Sequence, residues 1–297
     1  MSVYLIYAKN LGIAMRDFVK YAAHYDVPVI PVELTGLPEV RITEGCVYFY
    51  LGQENVHEDP AKMRLIFSIA DGFRKAGIRV VNGYNAVKNT DKVSLYKILK
   101  ENGLSCPEYL VKPENEKELA SLGKTVLIRG AESHNQGDLY VFHAPYKGAF
   151  PINYVTGTPM AAQFIETVNS ADLRQYYRVI VVGNSVIART AYLYKGYIPR
   201  YTHDTKATVI FRKQVLPLLE TSPLVQSNCI AACRAVGVDV GAVDFLLPHG
   251  IDSRPLITDI TPAFSSFRNE HLSSPFLWEL SIVDRFHQIL LQFLTGG

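Results

Sequence analysis

Strands and helices alternate over the first third of this chain, and that alternation narrows the fold more than any other feature. Val3 to Ala8 reads as a buried strand and Ile13 to Ala23 as an amphipathic helix. Val27 to Val32 and Val47 to Leu51 follow as strands. Ala61 to Ala76 reads as a helix with Leu65, Ile66, Ile69, Ala70 and Phe73 on one face, and Ile78 to Val81 as a fourth strand. Gly77 is placed to end that helix. Strands separated by helices pair in parallel, so the pattern predicts a doubly wound α/β lobe. No G-x-G-x-x-G follows the first strand, which argues against a dinucleotide-binding domain.

Beyond Asn82-Gly83-Tyr84-Asn85, read as a turn, the pattern changes. A helix is expected from about Asp91 to Glu101, with Gly103 past its end, then a short strand over Cys106 to Val111 and a charged helix, Glu114 to Leu119. Strands at Thr125 to Arg129 and Leu139 to His143 flank a polar loop, Gly130 to Gly137. Ala161 to Ile165 is another strand, and Tyr177 to Val182 and Ser185 to Tyr194 form a hairpin around Gly183-Asn184. A helix over Val225 to Val236, ended by Gly237, precedes strands at Gly241 to Leu247 and Pro255 to Ile260, and a last helix closes the chain. This region is rich in antiparallel pairs, unlike the first.

Composition sets the outer limits. The chain has 297 residues, 48% of them hydrophobic, enough for a sizeable core. Thirty Lys and Arg stand against 28 Asp and Glu, a formal charge of +2, so nothing argues for a nucleic-acid partner. The apolar stretch from Phe276 to Leu294 is interrupted by Glu279, Asp284, Arg285 and His287, which predicts an amphipathic surface helix rather than a membrane span. The four cysteines, Cys46, Cys106, Cys229 and Cys233, lack zinc-site spacing and read as buried reduced thiols. With an amino terminus that has no basic or long apolar segment, they point to a cytoplasmic protein.

Four segments carry the chemistry. Asn89-Thr90-Asp91-Lys92 opens a helix. Thr125-Val126-Leu127-Ile128-Arg129 is a strand ending in a cation before a polar loop. Ala162-Gln163-Phe164-Ile165-Glu166 precedes Tyr177-Arg178-Val179-Ile180-Val181-Val182. Gly241-Ala242-Val243-Asp244-Phe245-Leu246 precedes Leu256-Ile257-Thr258-Asp259-Ile260-Thr261-Pro262. Together they suit a nucleoside triphosphate. Lys92 and Arg129 could neutralise phosphates from two sides, and the loop holding Ser133, His134 and Gly137 could lay N–H groups over them. Asp244 and Asp259, on adjacent strands, could hold Mg²⁺. Gln163, Phe164 and Ile165 could line an adenine pocket. A carboxylate inside an apolar strand is costly unless paired or metal-bound, so both aspartates also admit an internal salt bridge with Arg178 or Arg189. Arg200, Tyr201, His203 and Arg268 are weaker candidates for substrate contacts.

In this order the segments resemble the ATP-grasp superfamily and, within it, the RimK-like carboxylate–amine ligases, over roughly Asn82 to Thr261. The resemblance implies a mixed α/β (α+β) ATP-grasp fold: an N-terminal parallel α/β lobe over 1–85, then an ATP-grasp unit over 86–297. That unit would divide into a central subdomain, about 86–160, and a C-terminal one, about 161–297, enclosing ATP. Lys92 matches the family's nucleotide lysine, and Arg129 stands where a second lysine is usual. Gln163, Phe164 and Ile165 match the adenine hinge, and Arg178 a strand arginine. Asp244 matches one metal carboxylate, and Asp259-Ile260-Thr261-Pro262 stands where the family has E-V-N-x-x-P. The implied ligands are ATP and Mg²⁺, the latter on Asp244, Asp259 and Thr261, with Arg178, Arg189 and Arg268 as catalytic candidates. The implied reaction is amide or peptide bond formation through an acyl phosphate, from small-molecule or peptide carboxylate and amine substrates. The changes at Arg129, Asp259 and Thr261 motivate a second reading, a nucleotide-binding module without ligase chemistry; a small-molecule kinase is a third. No membrane partner is expected, and homo-oligomerisation is left open.

Overall fold

The computed structural model describes residues 1–8, 11–52, 59–132, 139–145, 155, 157–167, 173–198, 206–264 and 277–296. Its described strands form three four-stranded sheets. The first has the order β2 (Val29–Glu33), β1 (Val3–Tyr7), β3 (Cys46–Tyr50), β4 (Arg79–Val81), and every pair in it is parallel. Helices α1 (Ile13–Ala23) and α2 (Pro60–Lys75) supply the crossovers, as the alternation predicts. The Asp59 carboxylate caps α2 by accepting from the amides of Ala61 and Lys62.

A short helix, α3 (Tyr84–Lys88), lies where a turn is expected from sequence; at five residues it carries too little periodicity to read. Next comes α4 (Lys92–Glu101), whose N-cap Asp91 accepts from the Ser94 amide at 3.0 Å. The second sheet runs β5 (Tyr109–Val111), β8 (Pro159–Gln163), β6 (Thr125–Gly130), β7 (Tyr140–His143), all antiparallel, with α5 (Glu116–Ser121) beside it. The expected subdomain break near 160 falls inside β8, which pairs with both β5 and β6.

The third sheet, also antiparallel, has the order β10 (Ser185–Tyr194), β9 (Arg174–Val182), β11 (Val240–Leu246), β12 (Leu256–Thr261). Helices α6 (Lys206–Thr221) and α7 (Pro223–Val236) cover one of its faces, and α8 (Leu277–Thr295) closes the chain. Helix α6 is not expected from the sequence. Its start, Thr208-Val209-Ile210-Phe211, is strand-like, and Pro217 lies inside the helix, so local propensity points away from the observed state. At the end of α7, Gly237 adopts φ +82°, and a Cβ there would come within 2.9 Å of Asn85 Cβ.

Packing ties the sheets together. On the covered face of the third sheet, Val179, Val243 and Phe245 share one buried cluster with Leu95 and Leu99 of α4 and Cys229, Ala232 and Val236 of α7. On the other face, Ile180, Val182, Ile187, Val240 and Ala242 pack into one cluster with Val3, Leu5, Phe18 and Tyr48 of the first lobe and Phe286 and Leu290 of α8. A buried side chain, Asn82, fixes this junction. Its Oδ1 accepts from the amides of Asp239 and Val240 at 2.8 and 2.9 Å, and its Nδ2 donates to the Val240 carbonyl. The Asn82 amide in turn donates to the Asp239 carboxylate.

Candidate nucleotide site

The site begins with register. In the third sheet Asp244 of β11 lies opposite Arg178 of β9 on one side and Asp259 of β12 on the other. Residues directly opposed in antiparallel strands project to the same face, so the three form a row across the sheet. Thr261, two residues beyond Asp259 and opposite Ala242, shares that face. The same face is apolar toward Ile180 and Ala242, where the first lobe and α8 cover it.

The row is closely paired. Arg178 donates to Asp244 as a fork, Nε to Oδ1 at 2.5 Å and Nη2 to Oδ2 at 2.7 Å. The Asp244 side chain is 4% exposed, so this is a buried, bidentate ion pair. Asp259 is met from the other direction. Lys92, the first residue of α4, places Nζ 2.5 Å from Asp259 Oδ1 and donates to the Thr258 carbonyl at 3.0 Å. Its side chain is 3% exposed. Burial pulls the Lys92 pKa below its usual value, the Asp259 charge opposes that, and the charge of Arg129 adds to it.

The second sheet enters at the same point. The Lys92 amide donates to the Ala131 carbonyl at 3.0 Å, tying the start of α4 to the end of β6. Arg129, on β6, lies close enough for its charge to act on both Lys92 and Tyr96. Cations from α4, β6 and β9 therefore meet the two carboxylates of β11 and β12 where the second and third sheets approach each other.

No protein-family model matches the sequence, and neither does any curated protein sequence. Comparison with solved structures does find matches. The ATP-grasp ligase PsnB, complexed with minimal precursor, Mg and ADP, superposes with a TM-score of 0.64 at 12% identity, covering 98% of this chain and 97% of that one. A RimK domain ATP-grasp protein from Sphaerobacter thermophilus gives 0.58 at 14% identity over the whole of both chains. D-alanine–D-alanine ligase from Bacillus anthracis, complexed with ATP, gives 0.61 at 12% identity, covering 99% of this chain and 96% of that one. The chain has the ATP-grasp fold. The mixed α/β architecture expected from the motif order is the one observed.

Within the ATP-grasp fold, Lys92, Arg129, Arg178, Asp244 and Asp259 come together, and Thr261 shares their face. Arg189 is half-buried at an irregularity in the β9–β10 pairing, between Ala188 and Thr190. Ser133, His134, Gly137 and Arg268 lie outside the described residues, as do Arg200, Tyr201 and His203. The segment expected to serve as an adenine hinge is part sheet. The amides of Gln163 and Phe164 donate to the carbonyls of Glu108 and Thr125 at 2.8 and 3.2 Å, so those two groups are committed before any base arrives. Phe164 and Ile165 lie past the end of β8 rather than within a strand. The Phe164 ring packs at 5.2 Å against Tyr197, and the Arg174 guanidinium covers both rings while its Nη2 bonds Glu166 at 2.8 Å.

Two further groups join Lys92. Tyr96 donates its hydroxyl to the Thr258 carbonyl at 3.1 Å, the same oxygen that receives Lys92. Burial raises the Tyr96 pKa, so the hydroxyl stays a donor. Its signal was the spacing, four residues from Lys92 on one helix face. The Thr258 carbonyl carries no side-chain signal at all.

The donor set fits magnesium. Mg²⁺ takes one or two carboxylates together with phosphate oxygens and water. Asp244 and Asp259 lie opposite each other, with the Thr261 hydroxyl on the same face. Among the described residues no group of three or more His, Cys, Asp or Glu is arranged to hold a metal. Two aspartates suit a metal that shares its coordination with a polyphosphate. Among those residues, too, no helix is long and apolar enough to cross a membrane.

Proposed function

We propose that this chain is an ATP-dependent carboxylate–amine ligase that forms an amide or peptide bond through an acyl phosphate. One observation carries the reading: three cations from separate elements converge on two carboxylates at the junction of the two antiparallel sheets. Lys92, Arg129 and Arg178 would offset phosphate charge, the largest task for a protein in phosphoryl transfer. Asp244, Asp259 and Thr261 would hold Mg²⁺, which supplies Lewis-acid polarisation of the phosphate when bound. Arg189 and Arg268 are the remaining catalytic candidates, and Arg268, which follows Pro262 in the sequence, would face the substrate carboxylate. That carboxylate attacks the γ-phosphate, ADP leaves, and an amine then displaces phosphate. The structurally similar PsnB is also described with a precursor peptide and the D-alanine ligase bears a small-molecule name, so both substrate sizes belong in the screen. We divide the chain into a lobe of about 1–85 and an ATP-grasp unit of 86–297, with β8 kept in the central subdomain.

A second reading is favoured by one observation: each carboxylate of the row already has a cation in contact. That suits a module which binds nucleotide without turning it over. The test is release of ADP and phosphate with Mg²⁺ against pools of amino acids and peptides. Acceptor-dependent release of both, with amine consumed, supports the ligase. Nucleotide binding with no release under any acceptor supports the module, and ADP formation without amine consumption rules against the ligase.

A further inference from the structure

Resting on the ATP-site reading, we propose that Lys92 and Arg178 are resident counter-ions which close the carboxylate row to a bare divalent cation, so that metal enters only together with the triphosphate. Each carboxylate is matched to its own cation. The Arg178 fork engages both oxygens of Asp244, and Lys92 Nζ lies 2.5 Å from Asp259. Among the described residues each carboxylate is thus already in contact with a resident cation, and a lone M²⁺ would have to displace Lys92 or Arg178 to reach it. Burial strengthens both pairs, because the Lys92 and Asp244 side chains are 3% and 4% exposed.

Lys92 is held in this position, not resting there by chance. Its Nζ also donates to the Thr258 carbonyl, which Tyr96 shares. Thr258 immediately precedes Asp259, so one short stretch of β12 supplies both oxygens that receive Lys92. The short aspartate arm keeps its carboxylate beside that stretch. A triphosphate reverses the balance: its oxygens give Lys92 and Arg178 alternative partners, and Asp244 and Asp259 become free to accept a metal. Linkage then requires nucleotide and metal to raise each other's affinity by the same factor.

The test reads metal occupancy, not turnover. Mn²⁺ is titrated into the full-length protein and followed by the loss of the free-ion EPR signal, with and without a non-hydrolysable ATP analogue, and the loss that the analogue causes in the absence of protein is subtracted. Wild type should bind Mn²⁺ at least roughly tenfold more tightly with the analogue, within the range of ~5–150-fold usual for coupled sites. Lys92→Met should gain Mn²⁺ binding without the analogue, and Asp259→Asn added to it should abolish the gain. Arg178→Met, which releases Asp244, is a second variant, and thermal melts report whether each variant folds. Wild type that binds Mn²⁺ equally well without the analogue overturns the proposal, whatever the variants do. So does a folded Lys92→Met and a folded Arg178→Met that gain nothing. Failure of the analogue to bind wild type at any Mn²⁺ concentration overturns the ATP-site reading instead, and the metal-only titrations still decide the counter-ion role.

Discussion

One face of the third sheet has two ends of opposite character. Ile180, Ile187 and Ala242 lie at one end, buried among side chains of the first lobe and α8. Arg178, Asp244 and Asp259 lie at the other, and Arg178 and Asp244 stand only two residues along their strands from Ile180 and Ala242. Strand geometry treats both ends alike; the difference is what covers them. The first lobe provides apolar surface, and burying an aliphatic side chain there contributes about 1.5–3 kcal/mol. The charged end is met by Lys92 from the start of α4, on which the charge of Arg129 in β6 also acts. A buried ion pair adds little net stability, because desolvation offsets most of the attraction. The apolar end therefore holds the lobes together, and the charged end adds little to that.

Breaking the charged end alone should have the largest effect. Asp244→Ala leaves the Arg178 guanidinium facing an apolar strand without its carboxylate, and should cost about 3–5 kcal/mol of stability together with nucleotide turnover. Replacing both partners, Arg178→Met with Asp244→Leu, should restore most of that stability, to within about 1–2 kcal/mol of wild type, and restore no activity. Urea denaturation of the two single variants and the double one measures this. A double variant as unstable as Asp244→Ala would mean that the charged end is needed for folding, and the contrast between the ends would fail.

At the apolar end, Ile180→Ala should cost about 2–5 kcal/mol by opening a cavity under the first lobe. It leaves every member of the charged row in place. Affinity for an ATP analogue should change less than about threefold at temperatures where the variant is folded, as expected of sites that share no partner. A much larger loss of affinity would show that the two ends are mechanically coupled.

The legible part of this molecule is the part where local pattern and tertiary role agree. The parallel lobe was readable because each strand is a short apolar run between helices with one apolar face, and α1 begins and ends where its period does. Asp244 was readable because a carboxylate inside Gly-Ala-Val-Asp-Phe-Leu conflicts with a strand buried throughout. What escaped was decided by partners distant in sequence. The sequence admitted both a metal and an ion pair for Asp244, and only the register that sets it opposite Arg178 names the partner. Nothing local assigns Lys92 to Asp259, because α4 reaches β12 through tertiary packing alone. Helix α6 was hidden by β-branched residues and an internal proline, where packing against β10 overrides propensity. The Phe164 segment is half legible: it is expected to leave the sheet only after Ile165, but β8 ends at Gln163, and the amides of Gln163 and Phe164 still bond within the sheet.

The smallest predicted effect compares the two faces of a single strand. Tyr177 precedes Arg178 on β9 and points to the covered face, where its ring stacks on Phe245 at 5.6 Å and its hydroxyl donates to Gln175. Burial pushes its pKa from 10.0 up to about 12. An acid whose pKa is raised by folding is bound to its proton more tightly in the folded chain than in the unfolded one. Its contribution is fully present below pH 10 and is lost as the pH rises through about 12. Between those values wild type should lose stability that Tyr177→Phe, with nothing to ionise, retains. At pH 11 the difference should be on the order of 1 kcal/mol beyond whatever separates the two proteins at pH 8. Denaturant midpoints at the two pH values provide the check. An equal drop in both proteins would place the Tyr177 hydroxyl in contact with water and remove the contrast between a dry face and a charged one.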